Sequence, residues 1–404
     1  DAAIAFERAI EIDPYDKTSV LNISSLMLRL GNNQGALRKC NDFNKLKPDC
    51  VDVQLMKGKI FIAMKNFSEG EKIFEKACNI LPDRFETWEG LGDCLYGGGD
   101  TAGAVKKYNI AAKLNPKAFA SFFQLGFIRW EKGHYSTALK CFRRAARIRP
   151  DSIETLFNIG QIFHEKGSHY YKEAIQYYNK ALEINPNHGR SLAEKLHLCA
   201  LICDWDEIEN LRLQLPSIGT TVGVVEPFAL LALEDAPDRH KIRAERFCAD
   251  TIVPGKLPNF VMPSGKQNKI KVGYFSGDFH LHPVSTLISA VLESHSKNDF
   301  EIFAYSLHNK KDDMYHRIST VVSNFKDVSK LSEIEIASLA RRDGIDIAID
   351  LSGLTKNGRL QIFAHRAAPI QVSYLGFPGS MGANFIDYII VDKNLVPPEN
   401  QKYY

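Results

Sequence analysis

What the chain lacks narrows it first. No apolar run reaches the roughly 18 residues that a membrane-spanning helix needs. No charged-then-apolar leader opens it, although residue 1 is Asp1 rather than a methionine. There is no large excess of one charge: 51 Lys and Arg stand against 48 Asp and Glu, for a net charge of +3. Along the chain the basic residues are matched by acidic ones, which gives no support to a dedicated nucleic-acid binder and leaves room only for a weak polyanion site. No CxxC pair occurs among the eight cysteines, and none lies beyond Cys248. Zinc sites are usually built from closely spaced pairs. Cys199 and Cys203 are four apart and are expected to share a helix face, but no second pair joins them. The expected state is free thiols, buried or half-buried, in a reducing cytosol. The 404 residues, 45% hydrophobic and 25% charged, are ordinary for a soluble protein of two or three domains.

What is present, in the first half, is a repeat. Pro14, Pro48, Pro82, Pro116 and Pro150 recur every 34 residues, and Pro186 follows after 36. Between them Trp88, Leu91, Gly92, Ala104, Tyr108 and Ala111 return as Phe122, Leu125, Gly126, Ala138, Phe142 and Ala145. They return again as Leu156, Ile159, Gly160, Ala174, Tyr178 and Ala181, with two extra residues near Tyr170 and Tyr171. This is the tetratricopeptide (TPR) pattern of paired helices. Glycine lets the two helices of a unit approach, the aromatic fills the gap, and proline ends the second helix. The chain opens inside such a unit, since Ala2, Phe6, Ala9 and Pro14 fit its second helix, so earlier repeats are expected to precede it. The repeats are assigned to residues 1–200. A solenoid of this kind binds extended partners on its concave face.

The pattern weakens after Pro186. Residues 187–201 read as one more helix, and a second amphipathic stretch runs from Trp205 to about Leu215. A loop over 216–223, a helix over 227–249 and a proline-containing linker over 254–269 complete a connector assigned to 201–267.

From residue 268 the periodicity changes. Strands are expected at 270–275, 301–307, 324–328, 345–351, 370–375 and 388–391, with helices at 284–293 and 334–342 among them. Alternating strands and helices imply a parallel sheet covered on both faces. The chemistry of such a sheet lies in the loops at the carboxyl ends of its strands. The loop Ser276–Pro283 holds His280 and His282, and a histidine there can serve as a general base near neutral pH or simply as a hydrogen-bonded helix entry. Metal binding by this pair is not expected, because no further ligands cluster near it. The loop Asp350–Lys356 holds Asp350, which either caps the turn or orients a site group. The loop Leu375–Gly382 has three glycines and a proline, so its backbone can approach a ligand closely. The loop Ser306–Asp313 is charged and reads as a solvated turn.

Taken in order, CDW (203–205), VGYFSGDFHLHPVSTL (272–287), DGIDIAIDLSGLT (343–355), RAAPIQVSYLGFPGSMG (366–382) and DYIIVD (387–392) resemble the O-linked N-acetylglucosamine transferase family. The resemblance is close to bacterial TPR-containing members and covers essentially the whole chain. It implies a TPR superhelix followed by an α/β region, the N-terminal Rossmann-like half of a GT-B glycosyltransferase. It also implies an inverting, metal-independent enzyme without a resident cofactor. Such an enzyme transfers N-acetylglucosamine from UDP-N-acetylglucosamine to Ser or Thr hydroxyls of proteins, in the cytoplasm. The histidine of the family's DFxxHP motif falls on His282, and His280 falls on a variable position. Leu375, Gly376, Phe377, Pro378 and Gly379 fall on a loop facing the cleft, and Asp350 and Thr355 on the DLxGxT motif; all seven are candidates for substrate binding. Asn22 and Asn158 fall on the asparagine ladder with which relatives grip a polypeptide backbone. The equivalent positions hold Met56, Gly90 and Gln124, so the ladder is incomplete. Leu354 and Asp346 stand where many members have His or Tyr, and His, respectively. The chain stops near the end of the first catalytic half, so these 404 residues alone are expected to have little activity. A non-catalytic TPR scaffold, or the same fold with GDP-fucose or UDP-glucose as donor, is the competing reading.

Overall fold

The computed structural model describes residues 2–253, 255, 257 and 269–404. It contains two compact units, Asp1–Ile184 and Asn185–Tyr404. The first unit is helical throughout. After α1 (Ala2–Ile12) come five helix pairs: α2 (Lys17–Arg29) with α3 (Asn33–Leu46), α4 (Val51–Ala63) with α5 (Phe67–Ile80), and α6 (Phe85–Gly97) with α7 (Thr101–Leu114). Then follow α8 (Phe119–Glu131) with α9 (Tyr135–Ile148) and α10 (Ile153–Glu165) with α11 (Tyr171–Ile184). The two extra residues of the last pair form a 3-10 turn at Ser168–Tyr170, entered through Gly167 at φ 103°.

The repeat is maintained by matched volumes. A Cβ on Gly92 would sit 2.7 Å from the Tyr108 ring, one on Gly126 2.9 Å from Phe142, and one on Gly160 2.4 Å from Tyr178. Gly58 faces Phe74 in the same way at 2.5 Å. The first pair solves the problem differently. Ser24 takes the glycine position and Cys40 the aromatic one, with Cys40 Sγ 3.4 Å from Ser24 Oγ. Caps repeat as well. Asn32, Asn66 and Asp100 each accept a backbone N–H three residues on, from Gly35, Glu69 and Gly103, and start the second helix of their units. Each such cap stabilises its helix by about 1 kcal/mol.

The second unit begins with α12 (Gly189–Leu201), α13 (Trp205–Leu211) and α14 (Pro237–Thr251). Residues 227–249, expected as one helix, divide into a 3-10 turn at Pro227–Leu230 and α14, because Pro237 starts a new helix at a position that needs no N–H. Cys199 and Cys203 do not share a helix face: α12 ends at Leu201, Cys199 is buried, and Cys203 is exposed at φ 57°. Arg243 of α14 is fully buried and organises this region. It donates to the carbonyls of Ile218 and Leu215, each at 2.8 Å, and pairs with Glu234. The expected linker over 254–269 lies almost wholly outside the described residues.

The sheet follows, with β1 (Ile270–Ser276), α15 (Pro283–Ser294), β2 (Phe300–Ser306), α16 (Asp313–Val321) and β3 (Asn324–Asp327). Then come α17 (Glu333–Asp343), β4 (Ile347–Asp350), α18 (Gln361–Ala364), β5 (Ile370–Tyr374) and β6 (Tyr388–Ile390). All pairings are parallel, in the order β3-β2-β1-β4-β5-β6. The six strands stand where the sequence puts them. Alternation along β1 sends Val272 and Tyr274 to one face, with Val284 and Ile288 of α15 and Ile318 of α16. Phe275 goes to the other, with Ala244 of α14, Ile336 of α17 and Phe363 of α18. Burial on both faces is what a parallel sheet requires.

The glycine–aromatic match generates a test. The substitution Gly160→Val places branched carbons where the fully buried Tyr178 ring lies, and overpacking of this kind costs roughly 1–3 kcal/mol. Thermal unfolding followed by circular dichroism is expected to show a midpoint several degrees lower; an unchanged midpoint would remove volume matching as the determinant of the repeat.

Candidate active site

The strand order reverses between β1 and β4, so the chain leaves these two neighbours toward opposite faces of the sheet. In open parallel sheets the carboxyl ends of two strands that diverge in this way are where ligands bind. The loop after β1 is drawn together by its own side chains. Asp278 N donates to Ser276 Oγ at 2.9 Å, and Ser285 Oγ donates to the Asp278 carbonyl at 2.5 Å. Both serines are fully buried. The loop ends at His282, whose extended backbone (φ −154°, ψ 149°) makes it the N-cap of α15, followed by Pro283 in the first turn. Its Nδ1 accepts the Val284 N–H at 3.3 Å. The imidazole is 38% exposed, so it is open to an incoming group.

Asp278 organises this edge. It is only 4% exposed, and it faces both histidines: Oδ2 lies 3.9 Å from His282 Nδ1 and Oδ1 3.8 Å from His280 Nε2. Asn357 Nδ2, from the loop after β4, donates to Asp278 Oδ1 at 3.0 Å. Gly277 N donates to Ser352 Oγ at 3.3 Å. The His280 and His282 rings are 5.7 Å apart, and His308, from the loop after β2, is 6.0 Å from His280. That third loop is therefore not merely a solvated turn. Asp312 accepts the Leu281 N–H at 2.8 Å while capping α16 through the Tyr315 N–H. The bond from Leu281 is the main reason its carboxyl is held below the usual range.

The loop after β4 turns on Asp350. Its Oδ1 accepts from Ser352 N and Gly353 N at 2.9 and 3.1 Å, so the capping role is present. Its Oδ2 is buried with no hydrogen-bond partner among the described residues, and burial pushes this carboxyl up to about 6. Thr355 is half-buried, and its Oγ1 donates to the Ser352 carbonyl at 2.9 Å. The loop after β5 packs directly on this one. A Cβ on Gly376 would lie 1.9 Å from the Leu351 carbonyl oxygen, and one on Gly353 2.5 Å from the Phe377 Cβ. Leu375 takes a left-handed backbone at φ 71°, a strained state for a non-glycine residue. Phe377 turns into the hydrophobic core and Gly379 is buried, while Pro378 is exposed. A ligand at this loop meets its backbone and Pro378 rather than the Phe377 ring. Leu354 is also a core residue.

Asn22 and Asn158 belong to the first unit. Asn22 is exposed and Asn158 is buried within α10. At the equivalent Gly90, a Cβ would fall 2.1 Å from the Phe74 ring, so packing dictates glycine at that rung. One cavity of about 950 Å³ lies between α14 and residues 380–389 and is lined by none of the predicted site residues. Asp278, Asn357 and Asp312 escaped the sequence reading. Only Asp278 carried a signal, as an acidic residue just past the end of β1 and beside two histidines.

The sequence profile described as glycosyl transferase family 41 matches residues 208–404, and TPR profiles match 51–84, 128–167 and 153–188. The probable UDP-N-acetylglucosamine-peptide N-acetylglucosaminyltransferase SEC of Arabidopsis thaliana is 33% identical over 226 residues, 52% of this chain and 23% of that protein. The enzyme named UDP-N-acetylglucosamine-peptide N-acetylglucosaminyltransferase in Caenorhabditis elegans is 30% identical over 215 residues, 48% of this chain and 18% of that protein. The chain thus spans less than a quarter of the length of these relatives. A mutant Thermobaculum terrenum O-GlcNAc transferase of known structure aligns with 79% of this chain and 56% of its own, at 24% identity and a TM-score of 0.47.

Asp350 supplies a stability test. Its folded-state pKa lies above the ordinary carboxylate value near 3.9, so its contribution is complete at low pH and is lost as pH rises through about 6. The change Asp350→Asn keeps an acceptor for both N–H groups and removes the buried charge. At pH 7 the β1 and β4 amides of this variant are expected to exchange hydrogen roughly a hundredfold more slowly than those of the wild type, an effect of about 3 kcal/mol. At pH 4 the two proteins should be alike. Equal exchange at pH 7 would refute the buried-charge assignment.

Proposed function

We propose, from the match of residues 208–404 to the glycosyl transferase family 41 profile, that the whole protein transfers N-acetylglucosamine from UDP-N-acetylglucosamine to Ser or Thr hydroxyls of polypeptides. The relatives' names support this donor and this class of acceptor. The observation that carries the reading is His282, half-exposed at the switch point of the sheet beside a buried carboxylate.

In this reading the reaction is a single inverting displacement. The acceptor hydroxyl oxygen bonds to the sugar C1, the bond from C1 to the diphosphate oxygen breaks, and UDP departs with that electron pair. His282 receives the hydroxyl proton. With Nδ1 accepting from Val284, a neutral ring carries its proton on Nε2 and cannot accept there. A movement of about 1 Å toward Asp278 Oδ2, from 3.9 Å to hydrogen-bond distance, lets Nδ1 hold the proton and frees Nε2 as the base. Asp278 then also stabilises the imidazolium that forms. The backbone of residues 375–379, with Asp350 and Thr355 behind it, borders the sugar or acceptor. A second Rossmann-like half completes a GT-B cleft and binds the nucleotide, so residues 1–404 by themselves turn over little donor. The reaction needs no metal and no resident cofactor, and it takes place in the cytoplasm. The TPR unit holds the polypeptide substrate, with Asn22 and Asn158 as its remaining ladder positions.

The test is a transfer assay on the full-length protein with labelled UDP-N-acetylglucosamine, UDP-glucose and GDP-fucose. The first donor is expected to be preferred. His282→Ala should lower kcat by about 100-fold or more, and Asp278→Asn should lower it by less. Wild-type turnover in His282→Ala would eliminate the base assignment. Preference for either other donor would overturn the sugar, and failure to transfer any of the three would leave a TPR scaffold.

A further inference from the structure

The near balance of charge over the whole chain hides a local imbalance. Residues 101–150 hold eleven Lys and Arg against one acidic residue, Glu131, an excess of +10 in a chain whose total is +3. These residues form α7, α8, α9 and their turns. Among the described residues, none of the eleven cations is in a salt bridge with a carboxylate. On α9 the exposed Lys140, Arg143, Arg144 and Arg147 are three, four and seven residues apart, so they form one stripe about 10 Å long. Cations gathered without counter-charges repel one another, and an anionic partner relieves that repulsion.

A groove of about 590 Å³ adjoins this stripe, between α9 and α11. Its floor is aliphatic, from Leu156 and Ile159 of α10 with Ala146, Pro150 and Ile184. Its rim carries Arg143, Arg147 and Lys180 against the single carboxylate of Glu183. We propose that this groove is a docking site for an acidic polypeptide segment, one that seats an aliphatic side chain on the floor and places carboxylates at the cationic rim. Two observations favour a polypeptide over a nucleic acid. The floor is aliphatic, and the one ring of the lining, Tyr177, is stacked on Phe163 and covered by Lys180 Nζ, 4.7 Å from its centroid, so it offers no open face to a base. The nearby rings Phe119 and Phe122 are covered by the Arg149 and Arg144 guanidinium groups, at 4.0 and 5.8 Å from their centroids, and single-strand binders depend on open aromatic faces. Stacking also restrains those two arginines, which lowers the entropy lost when they bind.

Fluorescence anisotropy on the 404-residue chain tests this. The probe is a labelled peptide of Glu and Asp with two central leucines. Its controls are the same peptide with central serines and a labelled single-stranded DNA. Peptide binding is expected to weaken about tenfold between roughly 50 and 300 mM salt. It should also weaken about tenfold in the double variant Arg143→Glu/Arg147→Glu, whose positions are exposed, and by a smaller factor in Arg143→Ala/Arg147→Ala, which keeps a strong helix former at both sites. The serine peptide should bind several-fold less tightly. Unchanged binding in the alanine variant, equal affinity for the serine peptide, or tighter binding of DNA than of the leucine peptide would overturn the proposal.

Discussion

Parallel pairing of β1 with β4 is the constraint on which the candidate site depends. The register sets Phe275 beside Asp350, so two loops far apart in the chain leave the sheet together. Asp278 and Asn357, 79 residues apart, then come within hydrogen-bond distance. The helices that follow these strands cover opposite faces, α15 on the Val272 side and α18 on the Phe275 side. The diverging chains leave the carboxyl ends of these two strands as the edge at which such sheets bind ligands. Everything at this edge is fastened to that pair. The Leu351 carbonyl receives Gly376 closely, which carries the loop after β5 into place, and Leu281 reaches Asp312, which brings in the loop after β2.

The site therefore combines rigid and open parts. Ser276, Asp278, Ser285, Asp350 and Ser352 are buried and form the support. The His282 ring stands at the rim, half-exposed, with a long hydrogen bond from Val284 N to its Nδ1. In the proposed reaction, a group that exchanges a proton needs access and a small range of motion, whereas the carboxylate that orients it needs the opposite. Asp350 Oδ2 is the costly element of this arrangement, a polar atom at the sheet edge without a donor among the described residues.

In the first unit the governing constraint is volume. A large ring can be fully buried between helices only where the facing residue has no side chain, as at Gly92, Gly126 and Gly160. Where the ring is replaced by Cys40, Ser24 is tolerated. The same rule sets residue 90, where Gly90 makes room for Phe74. Packing thus dictates the inner positions and leaves the exposed positions of α7 and α9 free to gather charge.

The repeat, the six strands and the position of His282 were legible in the chain because each rests on local rules. Helix pairs repeat at 34 residues, buried parallel strands are short apolar runs, and a loop that follows such a strand lies at the functional edge. The division of residues 227–249 was less legible, since a proline can start a helix as readily as interrupt one. Apart from Asp278, the residues that fasten the loop of His282 could not be read. Asn357, Ser352 and Asp312 reach the first loop only because strand order makes neighbours of segments distant in sequence, and one residue's shift in register would redirect them. Periodicity and composition determined which elements form. The three-dimensional pairing of those elements decided which side chains meet, because burial and hydrogen bonding at the sheet edge depend on distances that the linear order does not contain.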